Sequence, residues 1–415
     1  MVGYTATYFF LFISLFFEVF LLVSFLERRF LKTAARPSAT GPAVFPTVCI
    51  VVPCFNEEKT LPSTMASLLA LEYPAGKLEI AIVDDGSTDA TLMVARQFEN
   101  DLPTHTGARV KVYSKENGGK HSAMNTALQN TQAELIGCLD ADSIVAPDAL
   151  LQVVPIFENP KIAAVTPGIH VREQKNMLQR MQHVEYRLSI FNRFMLAAIG
   201  SVFITPGPFS FFRAAVVRSL GGWRYAHSTE DMEMALRLQL AGHLIANQPQ
   251  AVVHTSTPST FRGLFRQRVR WTYGWLRNAV DYRFMLGNGR FGSLGVIVLP
   301  SALLSIAAGI YFFMRILWYI GVGISHALLR LQSGAGVPHG GFDAFYFPTS
   351  ALWFLVWASV AMILALICAG SLIGTGRGRP PVSTPLFLLF YSFLVPLWLI
   401  VAVVRATFKT GVRWR

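Results

Sequence analysis

The chain has 415 residues, of which 53% are hydrophobic and only 14% are charged. Soluble domains carry about 25% charged residues, so the composition excludes a chain that is soluble throughout and predicts a soluble domain joined to membrane spans. The net charge of +12 is compatible with nucleic acid, an anionic membrane surface or anionic substrates, and the long apolar runs favour the membrane surface.

The first element is an almost unbroken apolar run from Tyr4 to Leu26, and about 20 residues suffice to cross a bilayer. Charged residues follow it directly, at Glu27, Arg28, Arg29 and Lys32. A signal peptide carries its positive charge before a shorter apolar core, so we predict an uncleaved transmembrane helix over residues 1–28 with a cytoplasmic C-terminal end. Residues 29–46, rich in Pro, Ala and Thr, form the predicted linker. Glu18, inside the span, either stays protonated or paired, or lines a conduit.

Residues 47–257 alternate short β-rich runs with helical stretches such as Lys59–Leu71 and Gly119–Gln129. The β-rich runs are Val48–Pro53, Leu78–Asp85, Arg109–Tyr113, Glu134–Asp142 and Ile162–Pro167. This alternation predicts a cytoplasmic α/β domain with a mostly parallel sheet and helices on both faces. Such sheets bind ligands at the carboxyl ends of their strands. The four cysteines show no metal-ligand spacing, Cys49 and Cys138 lie in these runs and Cys54 directly follows the first run, which indicates buried, reduced thiols.

Two basic, aromatic-rich segments, Lys175–Gly200 and Phe261–Val280, have the pattern of amphipathic helices that either lie in the membrane interface or pack within the soluble domain. We predict an interfacial helix region over residues 258–290. Residues 291–415 then hold about three transmembrane helices, at Leu294–Ile324, Ala351–Ile373 and Pro385–Val404. One span plus three places both termini outside, whereas the basic tail from Arg405 favours a cytoplasmic end, so the topology of the tail stays open.

The turns after the first two strands carry polar residues that suit ligand binding. The first strand ends in PCFNEE, with Pro53, Asn56 and Glu58, a turn that lets the backbone approach a ligand while side chains hydrogen-bond it. The second strand ends in DDGSTD, where Asp84 and Asp85 precede a glycine turn. Taken alone, this second motif is also explained as a strand-to-helix turn with Asp and Ser caps.

Two further motifs favour a cation and an anion. Asp140 and Asp142 of LDAD stand two residues apart after an apolar strand, a spacing of hard oxygen ligands that suits Mg²⁺ or Mn²⁺, although a solvated loop has the same pattern. The segment NGGKHSAMN places Lys120 at a helix start, where backbone amides and a cation favour anions. It lacks the GxxxxGK[ST] pattern, which disfavours a P-loop ATPase.

The motif STED, from Ser228 to Asp231, opens an amphipathic helix with three apolar residues on one face. In one interpretation Ser228 is the N-cap and the two carboxylates interact with the helix dipole. In the other, Asp231 is a general base, which requires a carboxylate close to the hydroxyl that it deprotonates. The Pro/Gly-interrupted loop TPGPFSFFR, with Gly207 and Pro208, precedes it.

The last polar motif is FRQRVRW, Phe265–Trp271, directly before the apolar C-terminal third. Guanidinium groups suit phosphate and an indole face suits the apolar face of a sugar, so the motif favours a site for a diphosphate together with a sugar. Trp271 is also explained as the anchor of an interfacial helix.

In this order and at these intervals, DDG, LDAD, TED and QRVRW resemble the signature of the processive, membrane-integrated family 2 glycosyltransferases. These enzymes synthesise cellulose, chitin, hyaluronan and poly-N-acetylglucosamine. The resemblance spans Val48 to about Val280 and implies a GT-A-like domain over residues 47–257. It implies metal ligands at Asp140 and Asp142 and a catalytic base at Asp231. It implies donor-binding residues at Pro53, Asn56, Glu58, Asp84, Asp85, Lys120 and Asp140.

The resemblance also implies an acceptor and pyrophosphate region. Its residues are Gly207, Pro208, Glu230, Gln267, Arg268, Arg270 and Trp271, with Trp271 stacked on the acceptor sugar. The segment GPFSFFR looks more like that of the hyaluronan and chitin synthases than that of the cellulose synthases, which favours an aminosugar polymer.

The expected function is therefore a metal-dependent, inverting, processive β-glycosyltransferase of the plasma (inner) membrane, multi-pass with a cytoplasmic catalytic domain. It would polymerise a UDP-sugar, foremost UDP-N-acetylglucosamine, with Mg²⁺ or Mn²⁺ and translocate the product. Its expected partners are the donor, the growing polysaccharide, the lipid bilayer and, as an open option, an accessory membrane subunit, but no nucleic acid. The alternative is transfer of a sugar to a polyprenyl-phosphate carrier. A transporter or channel is disfavoured, since the apolar segments carry few charges and no repeat.

Overall fold

A mixed sheet forms the centre of the soluble part in the computed structural model, which describes residues 2–31, 44–100, 107–334 and 350–410. In chain order its strands are β1 (Val48–Cys54), β2 (Leu78–Asp84), β3 (Ala108–Ser114), β4 (Leu135–Cys138), β5 (Ser143–Val145), β6 (Ile162–Val171), β7 (Ser210–Arg213) and β8 (Leu244–Thr255). The strand order in the sheet is β3-β2-β1-β4-β7-β6-β8-β5.

The strand directions confirm the predicted mostly parallel α/β sheet. Strands β3, β2, β1 and β4 pair in parallel, as do β6 and β8, while β7 is antiparallel to β4 and β6 and β5 is antiparallel to β8. The predicted run Glu134–Asp142 was too long, because β4 ends at Cys138 and LDAD forms the turn before β5. Strands β7 and β8 were not predicted, since β7 has four residues and Asn247, Gln248 and Pro249 interrupt the apolar pattern of β8.

Helices cover the sheet and continue into the apolar segments. They are α1 (Val2–Leu31), α2 (Leu61–Leu69), α3 (Thr91–Asn100), α4 (Lys120–Asn130), α5 (Ala149–Val153), α6 (Met177–Ala198), α7 (Ala214–Ser219), α8 (Glu230–Leu240), α9 (Phe261–Asp281), α10 (Leu299–Gln332), α11 (Ala351–Thr375), α12 (Thr384–Leu386) and α13 (Ser392–Thr407). π-helical turns at Leu294–Val298 and Phe387–Tyr391 lead into α10 and α13.

Both faces of the sheet are buried, as the continuous apolar strands predict. Ile50 and Val52 of β1 pack on one face with Met65 of α2, whereas Val51 packs on the other with Met124 of α4. Successive side chains of a strand point to opposite faces, so a run of apolar residues supplies both layers at once. The sheet is therefore held between two helical layers, and its strand ends stay free to carry polar turns.

Among the described residues, four helices are long and apolar enough to cross a membrane. They cover Thr5–Glu27, Leu294–Gln332, Ala351–Thr375 and Thr384–Thr407. Helix α6 lies between α11 and the sheet, where it packs on α11, β6 and β8, and helix α9 packs on α13. At Gly370 of α11 a Cβ atom would overlap the carbonyl oxygen of Arg187, so glycine allows α6 and α11 to pack closely. Most of the predicted linker and the end of the basic tail lie outside the described residues.

Candidate active site

The turns after β1 and β2 are fastened to each other by hydrogen bonds. The Oδ1 atom of Asn56 accepts a hydrogen bond from Thr88 N at 2.8 Å, and Asn56 N donates to Ser87 Oγ at 3.0 Å. Glu58 accepts a hydrogen bond from Ala90 N at 3.1 Å. Asn56 has a φ of 57°, a left-handed conformation that Asn tolerates better than most residues. Asn56 and Glu58 thus shape the predicted donor region by holding the two turns together.

Asp84 ends β2 and braces its turn against the next strand. It is 2% exposed and accepts hydrogen bonds from Ser87 N and Ser114 Oγ, both at 3.3 Å. Pro53, in the neighbouring strand β1, is only partly buried and pairs in register with Val83. The two predicted donor residues therefore lie side by side at the carboxyl edge of the sheet.

Asp85 orders the glycine-rich segment before α4. Its carboxylate accepts hydrogen bonds from Lys115 Nζ at 2.7 Å, Gly118 N at 3.0 Å and Gly119 N at 2.7 Å. Hydrogen bonds to a charged group contribute about 1.5–3 kcal/mol each. Asp85 thus fixes the backbone that leads to Lys120, a positioning role that the sequence did not reveal.

Lys120, Asp140 and Gly207 meet in one cluster, although about 90 residues separate the first from the last. The Lys120 ammonium forms an ion pair with the Asp140 carboxylate. Burial opposes the charge of Lys120, but the carboxylates of Asp140 and Glu230 outweigh that cost and raise its pKa well above the usual value. A Cβ atom on Gly207 would overlap Lys120 Nζ and lie 3.0 Å from both Asp140 carboxylate oxygens, so a larger residue here would displace the ion pair. Pro208 is the next residue of the same loop.

The pair Asp140 and Asp142 is chemically suited to a divalent cation. Burial and the neighbouring charge of Asp140 raise the pKa of Asp142 to about 6, opposed by a hydrogen bond from Ser143. A cation would relieve this repulsion. Within the described ranges no group of three or more His, Cys, Asp or Glu residues could hold a metal ion. The two carboxylates fit Mg²⁺ or Mn²⁺ if water and phosphate oxygens complete the coordination.

A strained turn precedes the TED motif. Ala226, His227 and Ser228 have φ values of 44°, 54° and 64°, a conformation that costs free energy in residues other than glycine. The proposed Ser228 N-cap is wrong, because Thr229 occupies that position and makes no side-chain capping hydrogen bond. His227 Nε2 lies 2.8 Å from Asp281 Oδ2, which ties the turn to the end of α9.

The surroundings of Asp231 raise the pKa of its carboxylate. Its Oδ1 accepts a hydrogen bond from Met232 N at 2.9 Å, and its backbone oxygen accepts one from Thr205 Oγ1 at 2.7 Å. Burial and then the charge of Glu230 raise the pKa of Asp231 to about 6, although the positive charges of Lys120 and Arg270 oppose the shift. A carboxylate of this pKa is ionised at neutral pH and is a stronger base than an exposed aspartate.

One face of α9 packs on the TED turn and carries Arg270. The Arg270 guanidinium donates to Ser228 O at 3.3 Å, and Asn278 Nδ2 donates to Thr229 Oγ1 at 2.8 Å. A Cβ atom at Gly274 would overlap the Thr229 side chain, so glycine permits this contact. Burial lowers the pKa of Arg270, and the nearby carboxylates of TED and LDAD counteract this. Arg270 therefore lies in the same electrostatic cluster as Asp231.

Arg268 lies on a different face of α9 from Arg270, so these two residues predicted for the acceptor and pyrophosphate region contact different neighbours. Residues two apart on an α-helix point about 200° from each other. Arg268 donates to Glu185 Oε2 at 2.6 Å, and Tyr391 donates to the same oxygen at 2.7 Å. The Arg268 guanidinium carbon lies 4.5 Å from the Trp271 ring centroid. Arg268 therefore packs on Trp271 and faces α6 and the apolar helices.

Two residues complete this second group. Trp271 is 37% exposed, which leaves ring surface for a ligand beside the part that Arg268 covers. The Oε1 atom of Gln267 is buried and finds no hydrogen-bond partner in the part of the chain that the structure describes. Sequence reasoning missed Glu185, whose signal is that it is the only carboxylate in the basic helix α6.

Known proteins share these motifs and this fold. The family described as "Glycosyltransferase like family 2" matches residues 46–274. A poly-beta-1,6-N-acetyl-D-glucosamine synthase of Staphylococcus epidermidis is 32% identical over 230 residues, and that of Staphylococcus aureus strain COL is 33% identical over 232 residues. Each match covers 55% of this chain and 54% of the relative. The chain thus spans about half the length of the curated relatives it matches.

A solved structure extends the similarity to the whole chain. A mannosyltransferase of Pyrobaculum calidifontis, in complex with GDP-Man and Mn2+, aligns with this chain at a TM-score of 0.63 and 20% sequence identity. The alignment covers 98% of this chain and 99% of the mannosyltransferase chain. At that identity the likeness shows the fold, which is GT-A-like with additional apolar helices. Because the family match takes in more than half of its residues, the chain belongs to glycosyltransferase-like family 2.

Proposed function

We propose that the chain is a metal-dependent, inverting β-glycosyltransferase that polymerises UDP-N-acetylglucosamine into a polysaccharide. The observation that carries the proposal is the convergence of Lys120, Asp140, Asp231 and Arg270 at the carboxyl edge of the sheet. The names of the two staphylococcal relatives support the choice of sugar and of polymerisation.

The donor half of the site would bind the UDP-sugar. Asp84, at the end of β2, would contact the nucleoside, and Asp85 would keep the glycine-rich segment ready for the diphosphate. Lys120 would attract the phosphates, since its amine lies among carboxylates and stays charged. Asp140 and Asp142 would hold Mg²⁺ or Mn²⁺, which would stabilise the negative charge on the leaving UDP.

The acceptor half would carry out the transfer. Asp231 would take the proton of the acceptor hydroxyl while that oxygen bonds to the anomeric carbon and the bond from this carbon to the UDP oxygen breaks. The bonding electron pair leaves with UDP, and the attack from the opposite side inverts the anomeric configuration. Arg270 would face the developing phosphate charge, because fixed cations in a desolvated site stabilise such charge effectively. Glu230 would keep Asp231 basic at neutral pH.

The growing polysaccharide would leave past Trp271 into the apolar helices. Trp271 would stack on the acceptor sugar while Arg268 and Glu185 support the indole from behind. In this proposal residues 1–28 and 291–415 span the plasma membrane, residues 47–257 are cytoplasmic, and residues 258–290 lie at the interface. An accessory membrane subunit would contact the spanning helices.

Product analysis tests the proposal. The full chain in lipid nanodiscs is incubated with labelled UDP-N-acetylglucosamine, UDP-glucose or UDP-glucuronic acid, each with Mg²⁺, Mn²⁺ or EDTA. We expect a high-mass product from UDP-N-acetylglucosamine that EDTA abolishes and that a β-N-acetylglucosaminidase degrades. A label that appears only in a lipid extract as one sugar on polyprenyl phosphate would replace polymerisation by the alternative transfer. Incorporation that EDTA leaves intact would remove the metal from the mechanism.

A further inference from the structure

A basic cleft lies between α6 and the end of α11, apart from the candidate active site. Its volume is about 810 Å³. Helix α6 contributes His183 and Arg187, α11 contributes Ser371, and the loop that follows contributes Arg377 and Arg379. The residues assigned above to donor, metal or acceptor are all absent from its lining in the described part of the chain. The cleft therefore requires a separate explanation.

The lining of the cleft carries only positive charge. It holds three arginines, and among its described residues no carboxylate balances them. Arg187 is held in place by a contact of 3.0 Å between its guanidinium and His170 Nδ1. Burial and the charge of Arg187 lower the pKa of His183 to about 4, so the ring is neutral, and its Nδ1 lies 3.2 Å from Gln174 Nε2. This set of groups favours an anion with several oxygen atoms.

Ser371 supplies an independent indication of a ligand. Its side chain lines the cleft and is 3% exposed, yet its Oγ has no hydrogen-bond partner among the described residues. Other hydroxyls of α11 are satisfied within the helix: Thr375 donates to Ser371 O at 2.7 Å and Ser359 to Leu355 O at 3.0 Å. A buried hydroxyl without a partner costs free energy, which an acceptor atom of a ligand would recover.

We propose that this cleft binds a phosphate group, with Arg187, Arg377 and Arg379 as charge partners and Ser371 Oγ as a hydrogen-bond donor. The source of the phosphate is either the headgroup of an anionic phospholipid or free phosphate. The headgroup is favoured because the cleft lies where the candidate span α11 ends beside the soluble domain. That preference rests on the membrane placement of the proposed function, whereas phosphate binding itself does not.

Binding by the purified full chain tests the proposal. Native mass spectrometry in detergent measures the affinity for phosphatidylglycerol, with phosphatidylcholine as the lipid of equal tail chemistry, and thermal shift measures protection by inorganic phosphate. The variants are Arg377→Gln with Arg379→Gln, Ser371→Ala, and the control Arg283→Gln with Arg290→Gln. The control removes two exposed arginines from the same side of the apolar helices, outside the cleft.

We expect the wild type to prefer phosphatidylglycerol, and the cleft double variant to lose roughly 5- to 30-fold in affinity, as expected for two interfacial arginines. The affinity of the control double variant for phosphatidylglycerol should stay within about twofold of the wild type, since its two arginines contribute only to the general electrostatic attraction at the protein surface. Ser371→Ala should weaken binding without lowering the unfolding temperature, because its hydroxyl has no partner to lose. A merely structural serine would instead change the unfolding temperature and leave binding unchanged.

Two further outcomes are decisive: the first assigns the source of the phosphate, and the second overturns the proposal. Arginine-dependent protection by inorganic phosphate, without a preference for phosphatidylglycerol, supports the site and assigns it to free phosphate. If phosphatidylglycerol and inorganic phosphate are each bound equally by the wild type, the cleft variants and the control, the proposal is overturned. Neither readout uses glycosyl transfer, so failure here leaves the proposed function standing, and loss of polymerisation there leaves this site standing.

Discussion

The two halves of the candidate active site are built by different forces. In the hydrogen-bonded half, side chains and backbone amides of the donor-side turns after β1 and β2 are joined by hydrogen bonds, so that Asp85 alone accepts three. In the charged half, which lies between α4, α8 and α9 and holds the proposed metal ligands together with the transfer residues, charges dominate. Its carboxylates and cations are Asp140, Asp142, Glu230, Asp231, Lys120 and Arg270.

This difference separates what is fixed before substrate binds from what responds to it. The hydrogen-bonded half is ordered by the protein alone, so a lost contact there costs about 1–3 kcal/mol and changes mainly binding. The charged half has more carboxylates than cations, and burial followed by the charge of the neighbouring carboxylate raises the pKa values of Asp142 and Asp231. A cation or a change in pH therefore acts on this half first.

The largest effect should come from Asp231→Asn. It removes the proposed base while leaving the donor half intact, so transfer should fall by about 10²–10⁴-fold with UDP binding retained. Calorimetry with UDP and a radiolabel incorporation assay measure the two quantities. Asp148→Asn, an exposed carboxylate on the start of α5, is the matched control and should keep full activity. Polymer synthesis by Asp231→Asn at the control rate would assign the base to another residue.

Substitutions of the two arginines of QRVRW should lower kcat to different extents. Arg270→Lys loses the planar guanidinium beside the TED turn, and we expect kcat to fall by about 10²-fold, as for removal of one group that stabilises transition-state charge. Arg268→Lys acts on the Trp271 side and should reduce kcat much less. Steady-state rates with UDP-N-acetylglucosamine check both. Equal losses in kcat would erase the distinction between the two faces of α9.

Product length should report on the Trp271 face. Trp271→Ala removes the surface that would hold the acceptor sugar, and we expect the mean polymer length to drop by about 10-fold, since such contacts contribute about 1–2 kcal/mol. Glu185→Gln should act in the same direction but more weakly, through Arg268. Gel filtration of the labelled product measures length. Trp271→Phe, which keeps an aromatic face, should restore most of it, and unchanged length in Trp271→Ala would leave Trp271 as a simple interfacial anchor.

The pH profile should follow the charge balance around Asp231. Its pKa is raised to about 6, so the carboxylate is protonated as pH falls and activity is lost on the acid side of about pH 6. Glu230→Gln removes the largest neighbouring charge that raises this pKa, and the acid limb should move to lower pH by about one unit. The dependence of kcat/KM on pH measures the limb. A limb that moves to higher pH would contradict the assigned interaction.

The smallest effect should arise in the donor half. Asn56→Ala loses the hydrogen bonds to Thr88, worth about 1 kcal/mol, and should raise the KM for the donor by about fivefold with kcat unchanged. Asn56→Asp keeps an acceptor atom at the same position and should stay closer to the wild type. A loss of kcat in Asn56→Ala would mean that the turns also organise the transferring half.

Local patterns in the sequence were sufficient to predict β1 to β4 and β6 and the positions of the motifs. Apolar runs, glycine turns and paired carboxylates are short-range signals, and they marked Asp140 and Asp231 as candidate site residues. The sequence also holds the helical spacing that separates Arg268 from Arg270. Which neighbour each face of α9 meets depends on Glu185 of α6 and Tyr391, however, and such long-range packing has no local signature.

Two features depend on conformation and could not be predicted. The left-handed run at Ala226, His227 and Ser228 displaced the expected Ser228 cap, and no glycine marks it. The basic cleft joins α6 to the end of α11, about 185 residues further along the chain, and its arginines are unremarkable in sequence. In both cases the tertiary fold imposes a geometry that local propensity does not encode.

The most direct test of the central claim is the processivity of the wild type. The enzyme in nanodiscs starts on labelled UDP-N-acetylglucosamine and Mg²⁺, receives an excess of unlabelled donor after a few per cent turnover, and its products are sized over time. We predict long labelled chains from the earliest times that lengthen during the chase while most donor is unused. Products that all remain single sugars, or that grow evenly and are released after each addition, would contradict a site that holds its acceptor beside Trp271.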